Sequence, residues 1–337
     1  MTTLGVVTIG RNEGARLQRC LRSLRSLLTP DTPVVYVDSG STDDSVAYAR
    51  SLRVDVVELD MSVPFTMARG RNAGFRHLLE RHPQLKYVQF LDGDCELLPG
   101  WIEAGIAALD ADDDLAVVSG RRRERHLDVS IYNRLADMEW DTPVGEARYC
   151  HGDALMRVAA LLEVGLFNPT LIAGEEPELC VRLRAAGWRI RRIDHDMTLH
   201  DAAMTHIRQW WNRCVRGGWA YAQGAAMHGQ SPERHKLRES RSVWLWGLIL
   251  PVTSLTLVSW TNGWSLIALA MYPFLLLRIA IRHWHRGYLI RDALLYATFN
   301  VLAKFPQAVG QMRYWFHRVS RQPARLIEYK PAEQASC

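Results

Sequence analysis

The sequence predicts an α/β domain, a sheet covered by helices on both faces, followed by a helical and hydrophobic C-terminal region. Three observations carry this reading. From Leu4 to about Ile193, short apolar runs alternate with amphipathic helical stretches, the pattern of a parallel sheet buried on both sides. Polar, often glycine-bearing segments follow these runs, where ligands of such sheets bind. After about Arg241 the charges vanish for 18 residues at a stretch. With 337 residues, 48% of them hydrophobic, the chain can bury a sizeable core.

The strand candidates are LGVVTI from Leu4, VVYVD from Val34, VDVVEL from Val54, KYVQFLD from Lys86, LAVVSG from Leu115 and WRIRRI from Trp188. Helices are expected over Gly14 to Leu28 and Ser45 to Leu52. Arg121 to Arg125 (RRRER) reads as a solvated loop. Together these elements make a domain over residues 1–235, with a membrane-associated region over 236–337.

That second region opens with Val243 to Trp260, an 18-residue stretch without a charge, and continues with the uncharged run Trp264 to Leu277. Each is near the lower limit for crossing a bilayer. Thr261-Asn262-Gly263 is a turn between them, so a hairpin over 243–281 is expected, with Pro251 and Pro273 leaving a re-entrant wedge open and a buried soluble hairpin as the bland alternative. Arg238 and Arg241 before it, and Arg278, Arg282 and Arg286 after it, put both ends in the cytosol by the positive-inside rule. Tryptophans 244, 246, 260 and 264 suit an interfacial belt. Over about 291–318, Leu294, Thr298, Val301, Leu302, Phe305, Val309, Met312 and Phe316 recur at helical spacing opposite Asn300, Lys304, Gln307 and Gln311, as in a helix lying on a membrane surface. A basic tail (Arg313, Arg318, Arg321, Arg325, Lys330) would meet lipid headgroups.

Lysine and arginine exceed the acids by 41 to 36, which suits an anionic membrane or a phosphorylated ligand, and no nucleic-acid-binding module is visible. The six cysteines are scattered, so reduced thiols are expected. The start MTTLGVVTIG lacks a basic segment before a long apolar run, which argues against a cleaved signal peptide and for a catalytic part on the cytoplasmic face of the inner (plasma) membrane.

The strongest local signal is Phe90-Leu91-Asp92-Gly93-Asp94, two carboxylates two residues apart at a strand end. Strand periodicity points both to one face, and hard carboxylate oxygens suit Mg²⁺ or Mn²⁺ with a diphosphate completing the shell. Taken alone, Asp-Gly-Asp is also an ordinary strand-ending turn. The segments Thr8 to Gly14, Asp38 to Asp44 and Ala68 to Gly74 stand at or soon after strand ends, and singly they read as turns and caps.

In order and spacing, VVTIGRNEGARLQRCLRSL, VVYVDSGSTDDS, ARGRNAGF, FLDGDCELLPGW, HGDALMRVAAL and GEEPELCVRLRAAGW resemble the family 2 glycosyltransferases of GT-A fold, over residues 4 to about 225. The resemblance implies an inverting transfer from a nucleotide-diphosphate sugar. It sets Thr8 and Glu13 at the nucleotide pocket, Asp38 on the base, Arg71 on the base or diphosphate, Asp92 on ribose or metal-bound water, and Asp94 on the metal. Gly174 to Cys180 matches the acidic acceptor-side motif, whose second carboxylate is usually an aspartate acting as catalytic base; here Glu176 stands there, beside Glu175. As a bare segment it is equally a capped helix start with a Glu178–Arg182 pair. His200, after the last strand, sits where many members place a histidine on the metal. Asp153, Trp210, Trp211 and Arg213 fall on the acceptor side, although Gln209 to Arg213 departs in spacing from the signature of processive members.

The implied partners are a nucleotide-diphosphate sugar, membrane lipid, and a lipid-linked or saccharide acceptor of surface polysaccharide or glycolipid synthesis. A polyprenyl-phosphate acceptor and a catalytically silent membrane scaffold are the alternatives. Gly-x-Gly-x-x-Gly is absent from the first strand-helix turn and no Walker lysine motif follows a strand, which disfavours dinucleotide oxidoreductases and P-loop enzymes.

Overall fold

The structure, a computed structural model, describes residues 3–320. They fall into two compact units, one reaching to Thr205 and one beginning at His206. The division lies ahead of the expected 235, because the helix that follows Thr205 packs with the C-terminal helices.

The first unit opens with β1 (Leu4–Gly10), α1 (Ala15–Leu27), β2 (Val34–Asp38), α2 (Ser45–Ser51), β3 (Asp55–Glu58), α3 (Met67–Arg81) and β4 (Tyr87–Asp92). It continues with β5 (Cys95–Leu97), α4 (Trp101–Asp110), β6 (Leu115–Glu124), α5 (Ile131–Trp140), β7 (Gly145–Glu146), β8 (Ala154–Arg157), α6 (Val158–Val164), α7 (Glu175–Ala185) and β9 (Arg189–His200). The sheet runs β3-β2-β1-β4-β8-β6-β9-β5, with β7 on β9. The expected all-parallel sheet is corrected to a mixed one. β3, β2, β1 and β4 are parallel, whereas β8 is antiparallel to β4 and β6, and β5 and β7 are antiparallel to β9. β4 turns back through Gly93-Asp94 into β5, which pairs with β9 at the far edge, while β8 takes the place beside β4.

Both faces of β1 are buried, as its unbroken apolar run demands. On one face Val6 and Tyr36 pack against Leu17, Leu21 and Leu24 of α1, which recur at helical spacing. On the other, Val7 and Val37 meet α3, in a buried cluster that also holds Leu179, Cys180 and Leu183 of α7. Thr66 caps α3 by accepting from Arg69 N at 3.2 Å. Gly74 lets this helix lie close on the sheet, since a Cβ there would stand 2.5 Å from Val7 Cγ1.

The second unit holds α8 (Ile207–His228), α9 (Leu237–Trp244), α10 (Leu250–Thr256), α11 (Met271–Trp284), α12 (Ile290–Leu302) and α13 (Lys304–Ser320). A π-helical turn over Leu245–Ile249 joins α9 to α10 just before Pro251, whose ring cannot follow a regular α-helical turn. Among the described residues one helical stretch, Trp264–Trp284, is long and apolar enough to cross a membrane. It is tied to the preceding leg by Ser265 Oγ donating to Ser254 O at 2.7 Å and by Tyr272 OH on Trp246 O.

The single amphipathic helix expected over 291–318 is two, α12 and α13, parted at Ala303 shortly before Pro306. The expected stripe is divided, with Val301 buried and several of its large side chains outward. Gln311 is fully buried, exchanging hydrogen bonds with Ser240 (2.8 and 3.2 Å), while Leu294, Leu302, Met312 and Phe316 are exposed. Of the basic tail, Arg321, Arg325 and Lys330 lie outside the described residues.

Candidate active site

The site forms at the carboxyl ends of β1, β2 and β4, the crevice where an α/β sheet takes its ligand. The loops after β1 and β2 are laced together. Asn12 Oδ1 accepts from Thr42 N at 2.7 Å, Asn12 N donates to Ser41 Oγ at 2.9 Å, and Gly14 N donates to Asp43 Oδ2 at 3.1 Å. Asp38 organises its own loop, with Oδ2 accepting from Gly40 N and Ser41 N, both at 2.9 Å, and Oδ1 from Tyr36 OH at 3.0 Å. Gly40 serves the turn with a φ of +84°. Glu13 accepts from Arg16 Nε at 2.8 Å. Thr8 is wholly enclosed on the α1 side of β1, which corrects its expected place on the pocket wall: strand alternation turns it into the core.

Two buried arginines organise the acids. Arg71, from α3, is 1% exposed and reaches Asp92 Oδ1 at 2.8 Å, Glu175 Oε1 at 2.9 Å and Glu176 Oε1 at 3.0 Å. Its guanidinium is thus occupied by carboxylates, not turned outward to a base or diphosphate as expected. Arg122, from β6, lies 3.0 Å from Asp92 Oδ2 and 2.7 Å from Asp153 Oδ2, with its guanidinium over the Trp140 ring. The loop expected at RRRER is therefore strand. Pairing with β9 carries β6 through Glu124 and turns Arg122 inward, leaving Arg123 outside.

Asp153 is corrected from an acceptor-side residue to an interior one. It has no exposed surface, and it accepts from Asp92 N at 3.0 Å, Thr198 Oγ1 at 2.9 Å and Arg122 Nε at 2.7 Å. Gly152 beside it has no room for a side chain, since a Cβ would meet Arg71 Nη2 at 2.4 Å and Asp92 Oδ2 at 2.8 Å.

This packing sets the acids apart electrostatically. Burial would raise Asp92, but Arg71 and Arg122 outweigh it and hold the carboxyl below the usual aspartate range. Glu176 goes the other way, pushed up to about 7 by burial and then by the charge of Glu175, against the pull of Arg71. Glu175 is 2% exposed, whereas the Glu176 side chain keeps 14% of its surface. Of the two glutamates, Glu176 has access to the crevice and an affinity for protons matched to neutral pH. Both stand in the first turn of α7, behind Gly174 at a φ of +81°.

On the far side of Asp92, His200 Nε2 lies 3.4 Å from Asp94 Oδ2, and His200 Nδ1 lies 3.4 Å from Glu124 Oε2. Ligand atoms of Asp94, Cys95 and His200 lie within 4.8 Å of one another. Burial pushes the Cys95 thiol well up, leaving a carboxylate oxygen and an imidazole nitrogen as donors, a pair that fits Mg²⁺ or Mn²⁺ with diphosphate oxygens.

Residues 6–158 match the model of the family described as glycosyl transferase family 2. This stretch is a family 2 glycosyltransferase domain. Over 241 residues, 66% of the chain, it is 29% identical to the pre-mycofactocin glycosyltransferase of Mycobacterium tuberculosis. The chain spans about half (47%) of that curated relative's length. The fold of the glycosyltransferase domain is GT-A-like. Its structural neighbours include the mannosyltransferase PcManGT from Pyrobaculum calidifontis in complex with GDP-Man and Mn²⁺, at TM-score 0.61 and 18% identity over 92% of this chain and 87% of that one. Another is S. aureus TarS in complex with UDP-GlcNAc, at TM-score 0.51 and 15% identity over 93% and 92%.

The structure thus gathers Arg71, Asp92, Glu175 and Glu176, and beside them Asp94 and His200. Trp210, Trp211 and Arg213 belong to the second unit, on α8. Trp210 is buried there with its ring edge-on to Phe299 at 5.1 Å, so it packs helices and does not offer a stacking face, while Trp211 is exposed. Sequence reasoning missed Arg122, Glu124 and Trp140. A signal existed for Arg122: so many acids converging on one strand end need more than one buried cation.

Proposed function

We propose that the chain is a metal-dependent, inverting glycosyltransferase moving a sugar from a nucleotide-diphosphate sugar to a hydroxyl of a membrane-linked or saccharide acceptor, with surface polysaccharide or glycolipid synthesis as its setting. The observation that carries the reading is Glu176, a carboxylate with a pKa near 7 opening on a crevice that a family 2 glycosyltransferase domain builds. A base of this strength takes a proton from an acceptor hydroxyl as it attacks, and releases it at neutral pH. Arg71 holds that carboxylate and the Glu175 carboxylate beside it, and Asp92 is locked between two arginines at the centre of the crevice. Direct attack opposite the leaving diphosphate inverts the anomeric carbon. Asp94 and His200 would hold a divalent cation, which when bound stabilises charge developing on the diphosphate. Structural neighbours in complex with GDP-Man and UDP-GlcNAc support the donor class.

A membrane-delivered acceptor is supported by the second unit, many of whose large apolar side chains face outward and whose helices approach closely at glycines. A Cβ at Gly310 would stand 2.0 Å from Val215 O, and one at Gly218 2.0 Å from Gln307 O. Close backbone contact through glycines, with apolar residues outside, is how helices pack in lipid. The test is a panel of nucleotide-sugar donors assayed for release of nucleoside diphosphate with Mn²⁺ and with EDTA. Release is expected with one donor class and metal only, and Asp94→Asn should nearly abolish it without lowering the melting temperature. Full activity of Asp94→Asn would overturn the assignment.

A further inference from the structure

We propose that Glu124 is a positioning residue that fixes the tautomer and orientation of His200 so that Nε2 faces a divalent cation. This rests on the metal-dependent reading above. Glu124 ends β6, its side chain fully buried, and the parallel register pairs it directly with His200 on β9. Its carboxylate is held independently of the histidine. Oε1 accepts from His126 N at 3.1 Å and Asn133 Nδ2 at 3.3 Å, and Oε2 accepts from Ala202 N at 3.1 Å. Asn133 is itself fixed, with Oδ1 accepting from Met204 N at 3.1 Å and Nδ2 shared with His126 O at 3.0 Å.

Three donors thus aim the remaining capacity of Oε2 at His200 Nδ1, 3.4 Å away. Asp94 Oδ2 faces Nε2 at the same 3.4 Å; a cation taken up by Asp94 leaves Glu124 as the acceptor for the ring proton, which then sits on Nδ1 and turns the Nε2 lone pair to the ion. The Trp140 ring, edge-on at 4.6 Å, bars the imidazole from turning over. A carboxylate behind a histidine in this way orients the ring and makes its other nitrogen a better ligand. Such a site needs its outer partner nearly as much as the ligand.

The experiment is Mn²⁺ titration of the full chain, following free Mn²⁺ by electron paramagnetic resonance, for wild type, Glu124→Gln and Asp94→Asn, with melting curves on the same preparations. Glu124→Gln should weaken Mn²⁺ about 10- to 100-fold at a melting temperature close to wild type. Unchanged Mn²⁺ affinity in that variant overturns the role of Glu124 alone. Wild type that binds no Mn²⁺ overturns the metal-dependent reading and this inference with it. A second measurement needs no variant: the imidazole ¹⁵N shifts of His200 in the wild-type protein saturated with diamagnetic Mg²⁺ should report the Nδ1–H tautomer. The Nε2–H tautomer would refute the proposal even if Glu124→Gln failed to fold.

Discussion

At the scale of single residues, two adjacent glutamates have different surroundings and so different chemistry. Glu175 is sealed in and bound to Arg71, whereas Glu176 shares that arginine yet stays raised to about 7. Glu176→Gln keeps the size of the side chain and loses the base, so transfer should fall by roughly 100-fold or more while donor affinity, read by calorimetry, hardly changes. Glu175→Gln should be milder. Wild-type rate should climb through a midpoint near 7 as Glu176 loses its proton, and the residual activity of Glu176→Gln should lack that limb. The sign for stability is opposite: the folded state holds this proton more tightly than the unfolded one, so stability falls as pH rises through about 7. At pH 8 the Gln variant should therefore melt no lower than wild type. A pH-independent wild-type rate would remove Glu176 from the role of base.

At the scale of elements, β6 decides the site. A loop at RRRER would put all its arginines in water, but pairing with β9 puts alternate residues on opposite faces. Arg122 is buried between Asp92 and Asp153, whereas the Arg123 side chain is 51% exposed beside Asp196. Arg122→Leu leaves the fully buried Asp153 carboxylate without its cation and should cost about 3–5 kcal/mol. Arg123→Leu should stay within about 0.5 kcal/mol or so, since exposed pairs contribute little. Urea unfolding of both variants measures the difference, and equal small losses would mean the strand ends before Arg121.

At the scale of the whole molecule, the chain joins a sheet-based domain to a helical unit with apolar residues outward. Trp260, Trp264, Phe274, Leu289 and Phe316 are each more than three-fifths exposed, far beyond what a water-facing bundle gains from. The full chain should sediment with membranes, stay there through high salt and come off in detergent. Release by salt alone would show that the outward face is not in lipid.

Apolar runs and their order determined β1, β2, β4 and the helices on them, because each central strand had to be buried on both faces whatever its neighbours. The Asp92-Gly93-Asp94 turn stood out for the same reason, at a strand end, whereas the two glutamates and His200 were marked only by the family resemblance, since a capped helix start and a lone histidine look ordinary by themselves. Strand direction beyond β4, the inward turn of Arg122, the burial of Thr8 and Asp153 and the occupation of Arg71 by acids were decided only by tertiary structure. So was the division of α12 and α13 into inward residues, such as Val301, Ala308 and Gln311, and outward ones, such as Leu294, Met312 and Phe316. A periodicity states that a helix has two faces; which one is buried depends on what packs against it, and here glycines, Gln311 and aromatic pairs share the seam.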